Sequence, residues 1–551
     1  MRARWLLEGA GAAVLFLLPY FYPLVLPSNL TIYHHHLPLT NLVRGLLLDM
    51  LGVVILVVAV IAIVSRLSPR WRQIGGACLA GFVFWRFIGT LLMFIDQWTL
   101  TRVREGAPIN SRLHWAATIA WSSVAHPIAI GLVLLLATLA WWKPAISRFV
   151  VRAARLSLAG LSFSLLWIAP PLFSPAFVER AHHPRKPSVF AQSPASSESR
   201  IVWILFDELS YDLLFDHRPA GYTLPNLEKL HSTGISLGGL QPAGFVTERI
   251  VPSLLAGQPI DGIRSDFNGR LLYKSRAQDR WIAYDPDKTL FGLAHAGGWN
   301  PGVLGWYNPY CRIFRSVLDA CSWEQDGELP IEFAGASEKN SAFANALILP
   351  YAVLTKLSGA SKRPREESRC GHIREYQDIM RKASALIRNE DIRFVFLHLP
   401  VPHPPGFYDR HTHRLTLGGN YLDNLVLADD SVGSLMQEID LTAAADRTTV
   451  IISSDHSWRI PMWRGAPGWT AEEERISQGR YEPRPVFLIH FPGESYGREI
   501  PDPLPELIEH DIIAGMLKHE LKTPEDISVF VESSGRDERK PDQADPLRYN
   551  R

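Results

Sequence analysis

The sequence predicts an N-terminal α-helical transmembrane bundle of five spans, followed by a C-terminal α/β domain with a mostly parallel central sheet. Three observations predict this. The first 175 residues are mostly apolar, whereas the remainder has ordinary globular composition. Five stretches in that first part approach the roughly 20 apolar residues that a spanning helix needs. Beyond residue 200, apolar runs of strand length alternate with helical patterns, as parallel strands covered on both faces do. The expected limits are 1–175 for the bundle, 176–200 for a linker, 201–531 for the α/β domain and 532–551 for a polar tail.

Composition excludes several classes. With 47% hydrophobic residues and a net charge of +1, the chain is not disordered. The balance of 56 Lys and Arg against 55 Asp and Glu provides no basic field for nucleic acid. Four cysteines in 551 residues exclude a disulfide-stapled miniprotein.

The five expected spans are residues 5–26, 46–67, 74–95, 116–142 and 156–173. The first has Pro23 and Pro27 where a cleaved leader would have a small-residue site, so it reads as an uncleaved span. With the N-terminus in the cytoplasm, the cytoplasmic flanks hold Arg2, Arg4, Arg66, Arg70, Arg72, Lys143, Arg148, Arg152 and Arg155. The opposite loops hold only Arg44, Arg102, Arg104 and Arg112. The positive-inside rule then puts the C-terminal domain outside the cytoplasm, on a bacterial-type inner (plasma) membrane. Glu8, Asp49, Arg86 and His126 fall within or beside spans. A pairing of Arg86 with Glu8 or Asp49 is the expected reason, because an isolated charge is expensive in lipid. The cluster His34, His35 and His36 reads as a solvated outer loop.

In the α/β part, apolar strand runs are expected at 201–206, 302–306, 394–399, 448–453 and 486–491. Helices are expected at 224–232, 247–255, 290–295, 421–439 and 504–521, the last capped by Asp502. Ligands of open α/β sheets bind beyond the carboxyl ends of the strands. Three strands end in chemistry-bearing residues: Asp207 and Glu208 after the first, His403 after 394–399, and Asp455 and His456 after 448–454. Three carboxylates and an imidazole make a mixed oxygen and nitrogen set. It suits one divalent cation, with Zn, Mn, Mg and Ca all open. Thr247, where a glycine-containing loop enters a helix, supplies a nucleophile. The plainer reading of Thr247 is a helix N-cap. Ser253, inside the same helix, is a weaker rival.

These residues carry a resemblance. The segments Ile201-Val-Trp-Ile-Leu-Phe-Asp207-Glu208, Leu224-Pro-Asn-Leu, Thr247-Glu-Arg-Ile-Val-Pro-Ser-Leu-Leu-Ala-Gly257 and Ser453-Ser-Asp455-His456 resemble the alkaline phosphatase/sulfatase superfamily, in the order seen there. Membrane-anchored lipoteichoic acid synthases and lipid A phosphoethanolamine transferases are the nearer look-alikes, also with five spans before the catalytic domain. The resemblance implies an alkaline-phosphatase-like sandwich. It implies Asp207, Glu208, Thr247, Asp455 and His456 as metal ligands, Thr247 as nucleophile, and His403 as the residue touching the transferred group. Thr247-Glu-Arg replaces the Cys/Ser-x-Pro-x-Arg motif of sulfatases, so formylglycine chemistry is not available. Arg484 and His490 are the nearest polar residues to the extra histidines of the transferases, and Arg249 and Asn308 are candidate phosphate contacts.

The expected function is a transferase moving a phosphoglycerol or phosphoethanolamine head group from a phospholipid donor to a lipid or glycan acceptor. In that scheme His403 protonates the leaving oxygen and later deprotonates the acceptor. The alternatives are a sulfatase-like hydrolase of phosphodiesters or sulfate esters, and a non-catalytic remnant. Cys311, Cys321 and Cys370 all lie on the outer side and allow three pairings, with Cys78 a packing residue in a span.

Overall fold

The computed structural model describes residues 2–25, 40–104, 131, 134–136, 138, 142–172, 198–265, 271–275, 280–324, 341–348, 364–466, 468–495 and 497–534. The His34–His36 cluster, His126, most of the expected fourth span and nearly all of the linker and tail lie outside them.

The N-terminal part is helical: α1 (Arg2–Val25), α2 (Thr40–Arg66), α3 (Pro69–Arg104) and α4 (Pro144–Leu161), which continues through a 3-10 turn into α5 (Leu165–Leu172). Among the described residues, three stretches are long and apolar enough to cross a membrane: Val43–Arg66, Pro69–Leu91 and Ser147–Pro170. These match three of the five expected spans; α1 covers the first expected stretch, and most of the fourth lies outside the described residues. The last stretch starts at Ser147 rather than 156, so Arg148, Arg152 and Arg155 belong to the helix and not to its flank. An arginine is tolerated there because it meets a buried carboxylate. Arg4 Nε and Arg155 Nε each lie 2.9 Å from Oε1 of the fully buried Glu8. Arg86 instead donates to the Phe16 carbonyl at 3.0 Å, with its guanidinium 5.8 Å from the Phe16 ring centroid. A Cβ at Gly11 would fall 1.7 Å from the Leu158 carbonyl oxygen, so only glycine lets α1 and α4 cross this closely.

The α/β domain is built on an eight-stranded sheet. Its strands are β1 (Arg200–Asp207), β2 (Ile235–Leu237), β3 (Pro301–Trp306), β4 (Ala320–Glu324), β5 (Phe394–Pro402), β6 (Thr448–Ser454), β7 (Phe487–His490) and β8 (Arg498–Ile500). The spatial order is β8-β2-β7-β6-β1-β5-β3-β4, and only β7 runs against the others. Side chains along β1 alternate between two cores. Ile201, Trp203 and Leu205 pack with helices α7 (Thr247–Ala256), α8 (Leu290–Ala296) and α12 (Ile508–Leu517). Val202, Ile204 and Phe206 pack with α6 (Pro225–Ser232), α10 (Pro364–Ile387) and α11 (Tyr421–Asp440). This double burial is why the strands read as unbroken apolar runs.

Two expectations are corrected. The C-terminal helix starts at Ile508, not after Asp502, because Leu504–Pro505 stays extended to pair with Leu240–Gln241. A three-stranded antiparallel sheet of Ile260–Ser265, Leu271–Ser275 and Ile282–Ala283, and the long helix α10, had no signal strong enough to read. Of the three cysteine pairings, Cys311–Cys321 forms, joining α9 (Tyr310–Ile313) to β4, while Cys78 and Cys370 are free thiols.

Candidate active site

The register of the central strands brings their ends together. Phe206 of β1 pairs with Ser454 of β6 on one side and Leu399 of β5 on the other. Residues directly after these positions therefore share one rim of the sheet, where ligands of α/β folds bind.

At the end of β1 the chain turns sharply: Glu208 has φ 68°, a left-handed conformation that a residue with a Cβ adopts only when its surroundings impose it. The Glu208 amide donates to Asp455 Oδ1 at 3.3 Å, and its carbonyl accepts from the Tyr421 hydroxyl at 2.7 Å. The Asp455 amide in turn donates to the Phe206 carbonyl, which ties the two strand ends.

Thr247 is the first residue of α7; its N-cap is Val246, which offers no side-chain bond. The Thr247 hydroxyl is thus not spent as a helix cap. It donates to Asp455 Oδ2 at 2.7 Å and lies 3.3 Å from His456 Nε2. That same nitrogen is 3.2 Å from Asp455 Oδ2 and 3.5 Å from Asp207 Oδ1. His456 Nδ1 faces the Ser457 carbonyl at 3.1 Å; a carbonyl only accepts, so the ring hydrogen sits on Nδ1 and Nε2 keeps its lone pair. Asp207, Thr247, Asp455 and His456 converge within one buried cluster, none more than 3% exposed.

The Glu208 carboxylate points elsewhere. Arg459 Nε donates to its Oε1, and Trp463 Nε1 lies 2.9 Å from both oxygens. His403 sits between the rings of Trp306 and Trp463, at centroid distances of 5.5 and 5.2 Å. Ligand atoms of Asp207, Glu208 and His403 lie within 4.8 Å of one another, as do those of Asp207, His398 and Asp455.

Burial shapes the electrostatics. It pushes Asp455 up to about 7, against the opposing pull of the Thr247 hydrogen bond and Arg459. Burial also raises Glu208, opposed by Arg459 and Trp463. His403 and His456 are held well below the usual imidazole range, first by burial and then by the nearby guanidinium. For Arg459 burial acts to lower the value, but Glu208, Asp207 and Asp455 outweigh it and carry it up. Three buried carboxylates, Asp207, Glu208 and Asp455, thus face a single buried guanidinium. Fully ionised, the cluster lacks two positive charges, the charge of one divalent cation. The donor set, carboxylate oxygens with a lone-pair imidazole and a hydroxyl, fits such an ion.

Other candidates fall outside this cluster. Ser253 Oγ donates to the Arg249 carbonyl at 2.6 Å and accepts from the Ile260 amide, so it serves the helix. Arg249 donates to the Asp261 carbonyl. Asn308 is buried two residues before Tyr310. Arg484 binds Asp216 and Glu482, and His490 faces Thr233. Sequence reasoning missed Arg459, Trp463 and His398. The first two follow the Asp455-His456 pair within eight residues, the one local signal that marked them. His398 lies inside a strand, where nothing local separates a site residue from a core residue.

No family model and no curated protein matches this sequence. Solved structures do match. The complex of Ps i-CgsB with k-i-k-neocarrahexaose is 15% identical, with a TM-score of 0.40 over 61% of this chain and 76% of its own. A protein in the alkaline phosphatase superfamily from Vibrio parahaemolyticus is 12% identical, with a TM-score of 0.35 over 60% and 70%. The phosphonate monoester hydrolase of Agrobacterium radiobacter is 14% identical, with a TM-score of 0.35 over 58% and 74%. At such identities and TM-scores the likeness assigns no activity to this chain.

Proposed function

We propose that this chain is a membrane-anchored, metal-dependent transferase of phosphorylated head groups. In this reading it moves phosphoglycerol or phosphoethanolamine from a phospholipid to a lipid or glycan acceptor on the extracytoplasmic side. The observation that carries the reading is the Thr247 hydroxyl, buried at a helix start and hydrogen-bonded at 2.7 Å to Asp455 beside His456 and Asp207.

Asp207, Asp455, His456 and the Thr247 oxygen would hold one divalent cation. Bound there, it would lower the hydroxyl pKa and offset the charge of a phosphoryl oxygen. Thr247 Oγ1 forms the new bond to phosphorus, and the bond from phosphorus to the donor's alkoxide breaks. The departing alcohol takes the proton that the hydroxyl gives up. An acceptor hydroxyl then displaces Thr247 and returns a proton to it. His403, neutral at pH 7 because burial and Arg459 hold its pKa down, suits taking the proton from that acceptor. The start of α7 places backbone N–H groups and the positive end of the helix dipole near the oxygens of the phosphoryl group. Trp306 and Trp463, flanking His403, offer apolar walls that exclude water.

A membrane-level donor is supported by the way the two parts meet. Helix residues 342–348, which lie between β4 and α10 in the sequence, meet α2 near its start, where a Cβ at Gly45 would sit 2.7 Å from Asn345 Cβ. Arg66, Arg70 and Arg72 lie at the opposite end of that helix. Under the positive-inside rule this arrangement supports an outer-side catalytic domain.

The test is mass spectrometry of Thr247 after incubation of the full chain with phospholipid vesicles and a divalent cation. A phosphoglycerol or phosphoethanolamine adduct supports transfer. Rapid ester hydrolysis with no acceptor product would favour the hydrolase, and unchanged turnover in Thr247→Ala would remove the nucleophile.

A further inference from the structure

We propose that His398 is a ligand of the cation, contributing Nε2 from within strand β5, and that Tyr310 is the positioning residue that fixes its ring. This rests on the cation-dependent reading above and adds a ligand that the strand-end residues do not supply.

The position is anomalous for a histidine. Phe394 and Phe396 precede it on the same face of β5 and belong to the apolar core under α7 and α8. His398 continues that face and is fully buried, with the rings of Trp306, Tyr310 and Phe396 at centroid distances of 5.9, 6.0 and 6.5 Å. An imidazole in such surroundings is tolerated when both of its nitrogens find partners. Nδ1 has one, the Tyr310 hydroxyl at 2.7 Å. Nε2 is buried without a hydrogen-bond partner. A buried polar atom left without a partner is destabilising.

The surroundings supply what Nε2 lacks. A ring nitrogen of His398 and carboxylate oxygens of Asp207 and Asp455 lie within 4.8 Å of one another. The three groups are thus close enough to share one ion. Ligands held at roughly 2.0–2.3 Å around one ion stand roughly 3–4.5 Å apart, which is the spacing this group can reach. With the ring hydrogen on Nδ1 toward the Tyr310 oxygen, Nε2 presents a lone pair. A ligating histidine commonly bonds a partner through its other nitrogen in this way. The inferred shell is then Asp207, Asp455, His456 and His398, with the Thr247 oxygen, and Glu208 remains with Arg459.

The experiment uses the full chain in nanodiscs, stripped with a chelator and titrated with zinc or manganese against a competing chromophoric chelator. His398→Gln is expected to weaken binding at least about 100-fold, and Tyr310→Phe about 10-fold, in line with the loss of a ligand and of its orienting partner. X-ray absorption of the zinc-loaded wild-type chain is expected to count two or more imidazoles, and it needs no variant to fold. Wild-type affinity in His398→Gln together with loss of binding in Asp455→Asn overturns the proposal while leaving the transferase reading intact. A single imidazole in the zinc spectrum overturns it as well. Absence of binding by the wild-type chain overturns both.

Discussion

Arg459 and Glu208 form an ion pair in which neither side chain is more than 7% exposed, with Arg459 Nε donating to Glu208 Oε1. The pair occupies one Glu208 oxygen while the carboxylate stays within 4.8 Å of ligand atoms of Asp207 and His403. Removing one partner of a buried pair leaves the other charge uncompensated. Arg459→Met should therefore destabilise the chain by about 3–5 kcal/mol, whereas the double change Arg459→Met with Glu208→Leu should recover most of that loss. Chemical unfolding of the three variants checks this. Equal losses in the single and double variants would show that the pair is not coupled.

Thr247→Ala should abolish transfer and the covalent adduct, a fall of at least about a thousandfold in kcat. Thr247→Ser keeps an oxygen at the same Asp455 contact and should retain measurable turnover. If the alanine and serine variants are equally active, the hydroxyl takes no part.

Glu509 and Glu506 make a second buried carboxylate pair, both fully buried, under the loop that leads into Thr247. Glu506 accepts from the Ala243 amide, while neither Glu509 oxygen has a hydrogen-bond partner. Burial holds both well above the usual carboxylate range, and for Glu509 the charge of Glu506 adds to it. The folded state thus binds protons more tightly than the unfolded chain. Stability from this pair is complete below about 4.5 and falls as pH rises towards the folded-state value. Glu509→Gln should flatten that decline, gaining on the order of 1 kcal/mol for each pH unit of the window. Unfolding at pH 5 and pH 8 compares the slopes; identical slopes for wild type and variant would count against the assignment.

Gly45→Leu tests how the catalytic domain sits on the membrane helices. Its side chain would run into Asn345 Cβ at 2.7 Å and the Ala342 carbonyl at 3.1 Å. The contact should open, lowering transfer from vesicle-borne donors about tenfold while a short-chain soluble donor is used as before. A parallel fall with both donors would mean that the contact supports folding and not access to the lipid.

Cys311–Cys321 closes a short loop between α9 and β4, beside Tyr310. In the loop-entropy account a bridge of this span contributes about 3 kcal/mol. Cys321→Ser should lower stability by roughly that amount, read by denaturant unfolding. If Tyr310 orients His398, the same variant should also weaken cation binding.

Five of the eight strands were legible, because burial on both faces makes them largely apolar, as Ile201–Phe206 is; the short strands Ile235–Leu237, Ala320–Glu324 and Arg498–Ile500 carried no such run. Helix α10 was not, since its first six residues, Pro-Arg-Glu-Glu-Ser-Arg, have no apolar stripe to announce a helix. The spans were only partly legible. Arginines at 148, 152 and 155 interrupt the hydropathy that the helix itself carries through, because Glu8 waits for Arg155 in another helix.

The amino-acid sequence by itself determined the two-part architecture, the alternation of strands and helices, and which strands end in acids and imidazoles, all properties of neighbours along the chain. Only the tertiary structure decided which of those groups meet: Thr247 turned toward Asp455, Glu208 diverted to Arg459, and His398 facing Asp207 from inside a strand. Those encounters join residues 191 to 251 positions apart, and the sheet register that sets them depends on packing across the whole domain.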